Sequence, residues 1–88
     1  MKIYDYMGRK NICGAKVREQ RKKRNLSQSE LATQMQLEGV IIERDSVSRI
    51  ESGTRFVPDY ELMVIAKVLH VSVDQLLGIQ TGVEKYRG

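Results

Sequence analysis

The chain is 88 residues long, 41% hydrophobic and 30% charged, the size and balance of one globular domain, which excludes a second catalytic domain and a disordered or fibrous chain. One cysteine, Cys13, and one histidine, His70, leave no internal disulfide and no cluster that would hold a metal. The formal net charge is +4, but residues 9–24 carry eight basic side chains against one acidic (+7) and residues 25–88 six against nine (−3); that asymmetry marks either a solvated helix face or an end that meets a polyanion.

Residues 1–11 show no apolar period and are expected to form an N-terminal arm. The expected domain covers residues 12–78. Its first helix is read over residues 13–24, where Cys13, Val17, Gln20, Arg21 and Arg24 recur at three- and four-residue spacing. Arg21 therefore shares the face of Val17. Ser27-Gln28-Ser29-Glu30 is a capping box that opens a second helix, with Leu31, Ala32 and Met35 as its apolar stripe. Residues 36–42 break that stripe, contain Gly39 and end in a β-branched run, Val40-Ile41-Ile42, so they read as an ordered connection. A third helix is expected over Arg44–Ser52 and stops at Gly53, which takes the left-handed conformation readily. A fourth begins near Pro58-Asp59 and buries Leu62, Ile65, Ala66 and Leu69. Ser72-Val73-Asp74-Gln75 is a second capping box, opening a short fifth helix through Leu76 and Leu77 that ends at Gly78. Residues 79–88 are expected to form a C-terminal tail. The fold class is all-α, five short helices around one core.

The third helix divides into two faces. At 100° per residue, Val47, Ile50 and Glu51 share an inner face, while Asp45, Ser48, Arg49 and Ser52 lie opposite, with Arg44 at the flank. The outer face is short and polar, which suits either an ordinary exposed surface or a helix that enters a DNA major groove. Glu51 is anomalous, because a carboxylate against a core is costly unless paired. Arg21 is the other charge on an apolar stripe, so an Arg21–Glu51 pair is expected to lock the first helix against the third.

Five blocks now carry a resemblance: Val17-Arg18-Glu19-Gln20-Arg21, Leu26-Ser27-Gln28-Ser29-Glu30-Leu31-Ala32, Val47-Ser48-Arg49-Ile50-Glu51-Ser52-Gly53, Ile65-Ala66-Lys67-Val68-Leu69 and Val71-Ser72-Val73-Asp74-Gln75-Leu76-Leu77. In order and spacing they resemble the lambda-repressor-like, Cro-type helix-turn-helix family, over roughly residues 13–78. The resemblance implies a five-helix DNA-binding domain whose third helix reads the major groove. It further implies a phosphate contact at Gln28, base-edge contacts at Arg44, Asp45 and Arg49 with Ser46 and Ser48 nearby, and the interhelical pair at Arg21 and Glu51. Lys22 and Lys23 of the basic segment, together with Ser52 and Arg55, complete the expected phosphate set. Asp45 and Arg49, four residues apart, are expected to pair along the helix; alternatively Asp45 caps it. Three features depart from the family pattern: a connection about five residues longer between the second and third helices, Glu43 where Ser or Thr usually caps, and His70 in place of a frequent glycine.

The expected function is sequence-specific binding of double-stranded DNA by a transcriptional regulator, most simply a repressor that occupies an inverted repeat as a homodimer, with Leu76, Leu77 and Ile79 as interface. The alternative is a DNA-binding antitoxin whose residues 79–88 engage a protein partner. An enzyme is disfavoured, since no nucleophile motif, phosphate loop or paired carboxylates are present, and no cofactor is expected. The longest apolar run, Leu62-Met63-Val64-Ile65-Ala66, is too short to span a membrane. With no secretory apolar segment near the N-terminus, a cytoplasmic location is expected.

Overall fold

The computed structural model describes residues 6–79. Five helices follow one another: α1 (Gly14–Lys23), α2 (Gln28–Leu37), α3 (Arg44–Ser52), α4 (Asp59–Leu69) and α5 (Val73–Leu77). No strand occurs among the described residues, so the architecture is the all-α, five-helix one read from the sequence.

Each helix is set by local chemistry before it is buried. Asn11 Oδ1 accepts the Gly14 amide at 2.8 Å and so closes the start of α1. Both capping boxes form: Ser27 Oγ accepts from the Glu30 amide at 3.0 Å while the Ser27 amide donates to Glu30 Oε1 at 2.7 Å, and Ser72 and Gln75 exchange the same two bonds at 3.0 Å each. Helix α3 begins after Glu43, which makes no side-chain cap bond, and ends at Gly53 in the left-handed region at φ +81°. Asp45 therefore lies inside the first turn of α3 and is not its cap. Helix α4 ends on His70, itself left-handed at φ +57°, a conformation that a glycine would take without crowding a Cβ.

The connection from α2 to α3 is shorter than the apolar pattern suggests. Helix α2 runs on to Leu37, leaving residues 38–43 as the link; Gln36 and Leu37 are exposed, so the helix outlasts its inward stripe. Gly39, at φ +94°, turns the chain, and the Val40 amide donates back to the Met35 carbonyl at 3.1 Å. Val40 and Ile42 then point into the core while Ile41 is 94% exposed. Gln36 Nε2 donates to the Ile42 carbonyl at 2.5 Å, and Lys67 of α4 reaches Glu38 at 2.7 Å. An ordered link results.

The core lies where α1 and α2 pack on α3, with α4 and α5 closing the other side. Val17, Leu31, Met35, Val47, Ile50, Ile65, Leu69 and Leu76 fill it. Leu62, expected inside, is only partly buried, and Val64 and Glu61 take inward places on α4 instead. Residues 6–11 do not form a free arm. Tyr6 and Arg9 exchange both backbone hydrogen bonds across a two-residue turn, and the Lys10 amide donates to the Gly53 carbonyl at 2.8 Å. Asn11 Nδ2 then donates to the carbonyls of Ile50 (3.0 Å) and Arg55 (2.8 Å), which ties this segment to the end of α3. The remainder of the expected arm, and the tail beyond Ile79, lie outside the described residues.

Candidate nucleic-acid interface

Helix α3 presents Arg44, Asp45 and Arg49 on its exposed side, with Ser46 and Ser48 half-buried beside them, while Val47, Ile50 and Glu51 face inward. The two-faced reading of this helix describes its burial. The expected Asp45–Arg49 pair is replaced by one between neighbours: Arg44 Nη2 lies 3.4 Å from Asp45 Oδ1. Both groups are exposed, so this pair holds neither side chain firmly. Arg49 is left with its guanidinium in solvent and no acidic partner among the described residues. A polar, bulk-free helix face carrying two arginines and a carboxylate offers donors and acceptors that match base edges.

Behind that face a buried ion pair joins α1 to α3, and a second, part-buried pair ties the α3–α4 connection to α4. Arg21 (7% exposed) and Glu51 (8%) meet in a two-bond fork, Nε to Oε2 at 2.6 Å and Nη2 to Oε1 at 2.9 Å. The third nitrogen, Nη1, donates to the Leu26 carbonyl at 2.7 Å. Hydrogen bonding to Glu51 raises the Arg21 pKa against the opposing effect of burial. The second pair joins Arg55 to Glu61, which is only 3% exposed, at 2.6 and 3.1 Å. The hydrogen bond to Glu61 likewise raises the Arg55 pKa. Arg55 thus has its fork occupied within the protein, which argues against the phosphate contact expected of it. Arg21 is accordingly not alone as a partnered charge on the core. Glu61 shares the inward face of α4 with Ile65 and Leu69 at four-residue spacing, the same signal that marks Glu51.

The remaining phosphate residues fall partly together. Two adjoining depressions run between α1 and α3: one is lined by Arg18, Gln28, Ser48, Glu51 and Ser52, the other by Arg9, Arg18, Lys22 and Ser52 among others. Lys22 and Gln28 therefore line adjoining depressions that share Ser52. Lys23 does not line either depression but lies 3.5 Å from Glu19, which lines the second. Gln28 spends one amide proton on Glu51 Oε1 at 3.0 Å, and Ser52 Oγ, 2.9 Å from Thr54 Oγ1, also donates to the Arg49 carbonyl at 3.2 Å. Arg9 and Arg18 are the groove residues that a helix-by-helix reading missed; their place in the basic segment was the available signal.

Of the residues expected at a dimer interface, Leu76 belongs to the core. Leu76 is fully buried in the core, and Leu77 and Ile79 are half-buried. No described helix is long and apolar enough to cross a membrane.

Compared with known proteins, a family model described as Helix-turn-helix, HTH_3, matches residues 17–76, more than half of the chain. No curated protein and no solved structure matches it. The matched span runs from Val17 on α1 to Leu76 on α5 and holds the α2–α3 pair, its capping box and the Arg21–Glu51 fork. The chain belongs to the lambda repressor/Cro-like helix-turn-helix family of DNA-binding regulators.

Proposed function

We propose that this regulator is a cytoplasmic repressor that recognises an inverted-repeat operator in double-stranded DNA as a homodimer. The observation that carries the reading is the exposed face of α3, where Arg44, Asp45 and Arg49 stand clear of a helix held from behind by the Arg21–Glu51 fork. One helix of nine residues meets only a few base pairs, and two-fold pairing doubles the site. Half-sites would then lie about 34 Å apart, one helical turn, or a multiple of it.

Arg49 is assigned to a guanine O6/N7 edge and Asp45 to a cytosine N4, which together specify a G·C-containing half-site. Selection of bound duplexes from a random pool tests the whole reading, since a recovered inverted repeat reports specificity and two-fold binding at once. On that operator Arg49→Ala is expected to cost about 1 to 3 kcal/mol while leaving random DNA nearly unchanged. Equal losses on both would transfer Arg49 to a phosphate.

A further inference from the structure

We propose that Arg9 and Arg18, with Lys22, form a phosphate-binding groove along the side of the recognition helix, so that the N-terminal segment is a built-in part of the nucleic-acid interface. The proposal rests on the DNA-binding reading above and extends it to two residues outside the expected site. The two depressions between α1 and α3 share Arg18, Glu51 and Ser52 and so adjoin as one track, with Gln28 lining one part and Arg9 the other. Arg18 and Lys22 are four residues apart on α1 and share one side of it, as do Ser48 and Ser52 on α3.

Both carboxylates along the track already have basic or amide neighbours. Glu51 is held by Arg21 and Gln28, and Glu19 lies 3.9 Å from Lys16 and 3.5 Å from Lys23. Arg9, Arg18 and Lys22 are exposed and have no acidic partner among the described residues. Their three charges therefore face solvent without local compensation, which is the arrangement that favours a polyanion.

The backbone at Arg9 is held in place before any ligand arrives. Met7 and Gly8, at φ +52° and +81°, make the tight turn that returns the chain, and the bond from the Lys10 amide to Gly53 fixes its far end. The aliphatic stem of Arg9 lies over Gly53, where a Cβ would meet Arg9 Cγ and Cδ at 3.4 Å. This brings the Arg9 stem to the C-terminal end of α3, and Arg9 lines the same depression as Ser52. A role confined to the helix is the competing account, since a cation there also offsets the negative end of the helix dipole.

The test is the salt dependence of binding to the selected operator and to random duplex, for wild type, Arg9→Ala, Arg18→Ala and the double variant. Each substitution is expected to weaken both DNAs alike and to make the slope of log K against log salt shallower by about 0.9 per lost contact. Arg9→Lys should restore the slope. An unchanged slope in the double variant would overturn the proposal, and a lower melting temperature with an unchanged slope would assign Arg9 to the helix alone. If wild type binds operator and Arg49→Ala relaxes its specificity while these slopes stay fixed, only the groove is lost; if wild type binds no duplex, the groove and the DNA-binding reading fall together.

Discussion

All three nitrogens of the Arg21 guanidinium are committed, two to Glu51 and one to the Leu26 carbonyl. Removing either partner leaves a charge in the core without its fork, at a cost of about 3 to 5 kcal/mol. Glu51→Gln and Arg21→Met are each expected to shift the denaturant midpoint by that order, and a midpoint equal to wild type would remove the pair from the stability of the fold. Gln28 is affected too, because its amide loses Glu51 as acceptor in Arg21 or Glu51 variants that reorganise the site. The pair was legible because Arg21 and Glu51 each interrupt an apolar period with a charge, and two such anomalies on neighbouring helices imply one another. Glu61 carries the same mark on α4, but its partner Arg55 lies in a connection, where no period assigns a face. Asp45 was misread for a different reason. Helical spacing puts Arg49 within its reach, yet Arg44 next to it in sequence is nearer still, and on an exposed face nothing in the period decides between them.

At the scale of helices, the start of α1 lies close against the end of α3. Gly14 sits in the first turn of α1, and a Cβ there would collide with the Ile50 carbonyl oxygen and come within 2.9 Å of the Glu51 carbonyl oxygen. Both are backbone atoms of α3, which cannot turn aside as a side chain would. In an isolated helix Gly to Ala gains about 1 kcal/mol. Here Gly14→Ala is expected to destabilise by about 1 to 3 kcal/mol, because the two helices must separate to admit the methyl group. Chemical denaturation reads the sign directly, and a stabilised variant would mean that the contact yields. The helices themselves were legible from their caps: the Ser27 and Ser72 boxes and the glycines at 53 and 78 bound three of them. Residues 6–11 were not, since what orders them is a set of polar bonds to Ile50, Gly53 and Arg55, which leave no apolar period in the sequence. The end of α2 was blurred for the related reason that Gln36 and Leu37 are helical but face solvent.

For the molecule as a whole, Cys13 reports how stability responds to alkaline pH. It lies 2% exposed at the N-terminal edge of α1, the helix that packs against α3, α4 and α5 at once. Burial pushes its thiol pKa above the ordinary value of about 9.0, with hydrogen bonding at its own backbone acting in the opposite sense. The folded state therefore holds its proton more tightly than the unfolded state does. Below pH 9 both states keep the thiol protonated and Cys13 has no effect on the balance. As pH rises past that value the unfolded chain ionises first, and stability falls by up to about 1.4 kcal/mol per pH unit until the folded thiol also ionises. The measured quantity is the difference between wild type and Cys13→Ala, in which every contribution the two share cancels. That variant should differ from wild type by a constant offset up to about pH 8, reflecting the small volume lost, and the two stability curves should then converge as wild type weakens. Parallel curves through pH 10 would show that Cys13 ionises alike in both states and that the edge of α1 opens without unfolding the rest of the domain.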